Sequence, residues 1–255
     1  MVLTEDQIRE FNEKGFIIIR KFFDMDTINK FSVWLDELQD KQPGNDEEAK
    51  YYEKSVLNNE NLLVRIEHIL GKHNPEITDL LISAKTINFL TDLFGEPPVL
   101  FKDKVNYKQP GCRPDKLHQD QAAGWNAYGE FFITMGVIVD ENRKDNAAVS
   151  FMKSGNYARS LMSEEWQPLS DDDPPYQPEE EYMLLEADPG DVIFFDSYVP
   201  HGSPANTSER CRRNIYLTFN CQSEGDMRDK YYTEKWANYP PNDFDHARNG
   251  KTYRV

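Results

Sequence analysis

Cysteine is scarce in this chain: three in 255 residues, at Cys112, Cys211 and Cys221, with no CxxC spacing among them. An odd, unpaired set argues against a disulfide framework and suits a reducing compartment, so a cytoplasmic location is expected. Basic residues are in deficit too. The 29 Lys and Arg stand against 45 Asp and Glu, and a formal charge of −16 repels nucleic acid and anionic lipid at long range. No nucleic-acid or membrane partner is expected. No run approaches the roughly 18 apolar residues of a membrane span, and MVLTEDQIREF is acidic where a signal peptide is basic and then apolar. Histidine is rare as well, five in all, so an imidazole metal site has few candidates. What is present, 38% hydrophobic and 13% aromatic residues, suffices for one domain, 1–255, with a full core.

Thr4 with Gln7 three residues on forms a capping box, Ile8 and Phe11 start an apolar face, and Gly15 ends it, so a helix is expected over about Glu5 to Lys14. Phe16 to Ile19 reads as a strand, and Asp26 as the cap of a second amphipathic helix through Leu38. After a polar stretch, Leu62 to Leu70 and Ile77 to Phe94 return to helical spacing, which makes 1–98 a mainly helical support. Beyond Gly95-Glu96-Pro97-Pro98 the runs shorten: Val99 to Phe101, Phe131 to Val139, Ala147 to Phe151, Val192 to Phe195 and Ile215 to Phe219. Short strands between Gly, Pro, Asn and Asp loops predict an antiparallel sandwich or barrel over 99–222. The acidic, Pro-rich stretch near 166–182 reads as a long loop with the makings of a lid, and 223–255 as a C-terminal tail. The fold class is α+β.

His118-Gln119-Asp120 is the first chemical signal. In extended chain residues i and i+2 share a face, so an imidazole and a carboxylate can meet one ion. Five histidines and 23 aspartates in 255 positions give about 0.45 such matches by chance, so a second signal is needed. His201 supplies it, just beyond the turn Asp188-Pro189-Gly190-Asp191 and the buried run Val192 to Asp196. Two imidazoles and a carboxylate make a facial triad that leaves three positions of an octahedral iron for a chelating cosubstrate and O2. The same ligands also serve a hydrolytic zinc. Arg212, eleven residues past His201, favours iron: a guanidinium beside the metal can clamp the distal carboxylate of 2-oxoglutarate while the other end chelates. Arg212, Asn214 and Tyr216 share one strand face and Arg213, Ile215 and Leu217 the other, so a register shift of one would substitute Arg213.

These segments resemble the phytanoyl-CoA dioxygenase family of Fe(II)/2-oxoglutarate oxygenases across nearly the whole chain. TEDQIREFNEKGFIIIRKFF is similar to the family's opening, FKDKVNYKQPG into LHQDQ to its first metal motif, ADPGDVIFFDSYVPHGSPANTS to its distal histidine, and RRNIYLTFN to its arginine strand. The resemblance implies a double-stranded β-helix (jelly-roll, cupin-like) core with an N-terminal helical layer. It implies iron at His118, Asp120 and His201, with Arg212 and Gln119 as 2-oxoglutarate contacts and Lys104 as a cosubstrate or substrate contact; Thr134 is a further cosubstrate candidate on the pocket wall. The implied reaction is hydroxylation of an unactivated C–H bond with consumption of O2 and release of succinate and CO2. Two departures mark a reshaped pocket: Met152-Lys153-Ser154-Gly155-Asn156 replaces Pro-Gly-Ser-His, and no tryptophan lies near Gly136. Asp120 excludes the halogenase variant, in which a small residue makes room for chloride.

Lys104, Asn106 and Lys108 alternate along one strand face and could meet an anionic substrate group; Tyr107, Trp125 and Tyr157 are further wall candidates. FKDKVNYKQPG and YYTEKWANYPPNDF resemble members acting on small amino- or phosphonate-bearing compounds such as 2-aminoethylphosphonate. On that reading Lys104 and Lys108 meet the phosphonate and Asp103 or Asp196 an amine. An acyl-CoA or natural-product hydroxylase is the alternative within the family. Outside it stand a non-catalytic metal-binding jelly-roll module and a zinc hydrolase, for which Glu130 is the nearby base. His68, His73, His246 and Cys112 are read as having no part in the site.

Overall fold

The structure is a computed structural model that describes residues 1–41, 48–71, 74–152, 159–162 and 182–241. The chain starts with α1 (Glu5–Lys14), β1 (Phe16–Ile19) and α2 (Met25–Asp40), and then β2 (Ala49–Lys54) and β3 (Asn61–Glu67). The helices α3 (Pro75–Leu81) and α4 (Ala84–Phe94) lead into the long β4 (Pro98–Lys108). The remaining strands are β5 (Asp115–His118), β6 (Phe132–Ile138), β7 (Ser150–Met152), β8 (Tyr182–Leu184), β9 (Val192–Asp196), β10 (His201–Ser203) and β11 (Arg212–Cys221). Helix α5 (Arg228–Asn238) follows. Among the described residues no helix is long and apolar enough to cross a membrane.

The strands form two antiparallel sheets, β1-β9-β6-β11-β4-β3-β2 and β5-β10-β7-β8, the two walls of a jelly roll. The larger sheet has two unlike faces because side chains alternate along each strand. On its outer face Val105, Tyr107, Met135, Val137, Phe194, Ile215 and Leu217 pack with Phe11, Phe31, Trp34, Leu35 and Leu90 of the helices in one buried core. The inner face carries Lys102, Lys104, Thr134, Arg212, Tyr216 and Thr218, which line a cavity between the walls.

Helix α1 has the expected Thr4 and Gln7 capping box and a left-handed Gly15 cap. The second helix is capped two residues earlier than Asp26: the Asp24 side chain accepts from Thr27 N, and Asp26 stands inside the first turn. Leu62 to Leu70 is not helical: it holds most of β3, so 1–98 carries strands beside helices α1 to α4. Arg65, Ile66 and Glu67 of β3 pair with Asn106, Val105 and Lys104, which covers the edge β4 would otherwise present. β2 in turn covers β3. Ile77 to Phe94 is two helices, broken where the Ser83 side chain caps α4. The 223–255 tail contains α5, anchored by the Tyr232 hydroxyl, which donates to the Asp103 carbonyl at 2.9 Å and accepts its N–H at 3.1 Å. His68 sits in a left-handed turn rather than on a helix, its ring against those of Tyr232 and Trp236. The 166–182 loop, all but Tyr182, lies outside the described residues, as do Tyr157, His73 and His246.

Candidate metal centre and cosubstrate pocket

His118 ends β5 and His201 begins β10, and the two are cross-strand partners with ring centroids 4.4 Å apart. Gly202 allows this approach, since a Cβ there would lie 2.8 Å from the Asp115 carbonyl oxygen. Gln119 is extended, so Asp120, at the head of a short 3-10 turn, keeps the face of His118. Asp120 Oδ1 lies 3.6 Å from His118 Nε2 and Oδ2 lies 4.0 Å from His201 Nε2. One ligand atom from each residue falls within 4.8 Å of the others.

The two Nδ1 atoms meet backbone carbonyls, His118 that of Lys116 at 2.7 Å and His201 that of Val199 at 3.0 Å. A carbonyl can only accept, so each Nδ1 carries the proton and each Nε2 presents its lone pair to the centre of the cluster. Burial, with the adjacent His118, pushes the His201 imidazole down to about 4 and keeps it neutral at physiological pH. Burial opposes the Asp120 charge, but the polar surroundings of His118, His201 and Lys104 outweigh it and hold the carboxyl well below its usual range. Two imidazoles and an ionised carboxylate, with no thiolate, are a donor set that fits Fe(II) with open positions. Phe195 and Val149 line the cavity beside the cluster, the Phe195 ring 4.9 Å from that of His201.

Arg212 faces the cavity, 2% exposed. Arg213 faces the opposite side, bound by Asp140 through Nε at 2.7 Å and Nη2 at 2.9 Å and by Asp36 at 2.7 Å. The register therefore gives the cavity to Arg212. Lys104, Asn106, Trp125 and Thr134 line it too, with the Thr134 and Thr218 hydroxyls 2.9 Å apart. Burial and the neighbouring Lys102 lower the Lys104 ammonium to about 8. Tyr216 lies over Gly136, where a Cβ would come within 3.1 Å of its ring, so an aromatic from β11 takes the space expected of a tryptophan.

Several expected contacts are committed elsewhere. The Tyr107 hydroxyl donates to the Leu35 carbonyl at 2.8 Å, because an odd-numbered residue of β4 belongs to the outer face. Lys108 is on the inner face, but its ammonium is bound by Asp115 at 2.9 Å and the Arg113 carbonyl at 2.8 Å. Gln119 turns from the cavity: its amide donates to the Ser160 and Tyr198 carbonyls and accepts from Met162 N, tying the 159–162 segment to the turn before β10. Asp103 accepts from Ile69 and Leu70 N–H and pairs with Arg228. Asp196 accepts from Tyr198 and Val199 N–H and pairs with Arg159. Neither acid is available to an amine. Glu130 is exposed and outside the cavity lining, which removes the base of the hydrolase reading.

Sequence reasoning passed over Arg65, Lys102, Tyr231 and Lys235, which also line the cavity. Lys102 continues the Lys104, Asn106, Lys108 alternation by one step. Tyr231 and Lys235 stand at i and i+4, a helix-face signal inside the supposed tail.

The profile of the phytanoyl-CoA dioxygenase family matches residues 11–214. The chain belongs to that family. It is thus an enzyme of the non-haem iron, 2-oxoglutarate-dependent dioxygenase class. Among its relatives in the family, 2-aminoethylphosphonate dioxygenase of an uncultured bacterium (HF130_AEPn_1) is 32% identical over 93% of this chain and 89% of its own. Methylphosphonate hydroxylase of Gimesia maris is 31% identical over 91% and 86%. The same fold is found in EctD from S. alaskensis, solved with 2-oxoglutarate and 5-hydroxyectoine. Its TM-score is 0.71 at 20% identity, over 87% of this chain and 77% of that one.

Proposed function

We propose that this dioxygenase hydroxylates a C–H bond of a small phosphonate-bearing metabolite, with iron at His118, Asp120 and His201 and 2-oxoglutarate held by Arg212. The observation that carries the assignment is that Arg212 and the triad open on one cavity, so a dicarboxylate can be clamped at one end while it chelates at the other. Bound iron supplies the oxidising chemistry: 2-oxoglutarate, O2 and substrate give succinate, CO2 and the hydroxylated product. The chain's own work is placement. Nδ1–H bonds to Lys116 and Val199 fix the imidazoles, Phe195 and Val149 exclude water beside them, and Lys104 and Thr134 flank the cosubstrate. Phosphonates are favoured because two relatives matched over nine tenths of the chain are named for them and the cavity wall is rich in cations. The free thiols agree with a cytoplasmic location.

The test is the visible spectrum of the anaerobic protein with Fe(II) and then 2-oxoglutarate. A metal-to-ligand charge-transfer band is expected in wild type, lost in His118→Ala and weakened in Arg212→Ala. Succinate release stimulated by methylphosphonate or 2-aminoethylphosphonate completes the assignment; stimulation by long acyl thioesters alone would overturn the substrate.

A further inference from the structure

The end of the cavity away from Arg212 holds a second group of cations. Lys102 reaches it from β4, Arg65 from β3 and Lys235 from α5, and Glu67 is the carboxylate among them. Arg65 Nε lies 3.0 Å and Lys102 Nζ 3.7 Å from Glu67 Oε1, and Lys235 binds Oε2. Three cations against one carboxylate leave a surplus of two positive charges in a wall where Lys102 is 9%, Lys235 7% and Glu67 0% exposed. Desolvated like charges repel strongly, and a surplus of this kind is tolerated where an anion of matching charge completes it. Lys102 makes the point most directly. Among the described residues its ammonium has no hydrogen-bond acceptor, only Glu67 at 3.7 Å and the rings of Trp125 at 5.5 Å and Tyr231 at 5.7 Å.

Cosubstrate does not account for this group if Arg212 holds 2-oxoglutarate. Arg212 aligns with Lys108 and Thr218 with Lys102 along the β11–β4 ladder. The two ends are thus separated by about 20 Å of strand at roughly 3.3 Å per residue, more than one 2-oxoglutarate can span. Lys108, the other inner-face lysine beside Arg212, is already paired with Asp115.

We infer that Lys102 and Lys235, steadied by Arg65 and Glu67, bind the dianionic tetrahedral head group of the substrate. This makes α5, which lies outside the jelly-roll walls, and β3, near the edge of the larger wall, the elements that select substrate. The inference rests on the phosphonate reading and gives that reading its residues. Three donors converging from three elements suit a tetrahedral oxyanion, and the surplus of two charges suits a dianion.

The test is calorimetric binding of methylphosphonate, inorganic phosphate and acetate to anaerobic holoenzyme loaded with Fe(II) and 2-oxoglutarate, with 2-oxoglutarate affinity measured separately. In Lys102→Met and Lys235→Met the Kd for methylphosphonate is expected to rise at least tenfold, with that for 2-oxoglutarate within twofold, and Lys102→Arg is expected to restore most of the binding. Acetate is expected to bind at least tenfold more weakly than either dianion. Should Lys102→Met fail to fold, Lys102→Gln carries the same test. Unchanged methylphosphonate binding in the folded variants, or a parallel loss of 2-oxoglutarate affinity, overturns the inference while leaving phosphonate oxidation standing. Phosphate binding that depends on Lys102, without succinate release on any phosphonate, keeps the anion site and overturns the phosphonate reading. Absence of binding by both dianions to wild type overturns the site itself.

Discussion

Arg212 and Arg213 are adjacent in sequence and opposite in circumstance. Arg213 faces the helical layer, where Asp140, Asp36 and Ser32 occupy its donors. Arg212 faces the cavity. The same contrast runs across the larger sheet: Asp103 with Arg228 on one side is a closed pair, while Lys102 and Lys104 on the other share too few acceptors. Charge on the outer face is closed into pairs; on the inner face Lys108 is paired with Asp115, while Lys102 and Lys104 line the cavity.

The sharpest test removes what the inner face is built to hold. His118→Ala, or chelation of the metal from wild type, is expected to lower succinate release by roughly a thousandfold or more while the circular dichroism spectrum stays folded. Next comes the arginine pair. Arg212→Ala should raise the KM for 2-oxoglutarate by about a hundredfold with little change in Tm, since it removes a bidentate ligand contact. Arg213→Ala should leave that KM within about twofold yet cost about 1–3 kcal/mol in urea unfolding, because it breaks hydrogen bonds between charged groups. Identical behaviour of the two variants would erase the distinction between the faces.

Acid should separate the faces further. The Glu67 carboxyl is fully buried, and the pull of Lys235, Lys102 and Arg65 outweighs that burial and holds it far below its usual 4.5. A group depressed on folding contributes stability above its unfolded value and loses it as pH falls toward the folded one. Wild type is expected to lose about 2 kcal/mol more than Glu67→Gln between roughly pH 5 and pH 2 in urea titrations, and parallel curves would show that Glu67 is not the counter-charge. The smallest effect belongs to Tyr107→Phe, which deletes the hydrogen bond to the Leu35 carbonyl. About 1 kcal/mol of stability should go, with succinate release unchanged.

What could be read in the sequence follows from how local each signal is. Thr4, Gln7 and Gly15 fix α1 through contacts within one turn, so its bounds Glu5–Lys14 were legible. The β4 and β11 alternations are long enough to set faces, and they separate Arg212 from Arg213. β3 was hidden because Leu62, Leu63, Val64 and Ile66 satisfy helical spacing as well as strand spacing, and only the open edge of β4 chooses between them. Gln119 and Tyr107 went astray for different reasons. Motif position says nothing about the Ser160 and Tyr198 carbonyls that claim the amide, while the parity of β4 already assigned Tyr107 to the helical side. Lys235 needed tertiary contact, because α5 joins the cavity wall by packing Tyr231 on Phe101 and by bonding the Tyr232 hydroxyl to Asp103.

The pairing of His118 with His201 couples assembly to function. The two imidazoles come from distant stretches of chain and become neighbours only when the β5–β10 ladder has zipped. An unfolded or half-built chain has no site to offer, so iron held at the proposed triad would enter after the smaller sheet closes and act as a clasp across it. Holding that sheet shut by mass action, the metal would slow its fraying and give the loaded enzyme a longer lifetime against proteases than the empty one.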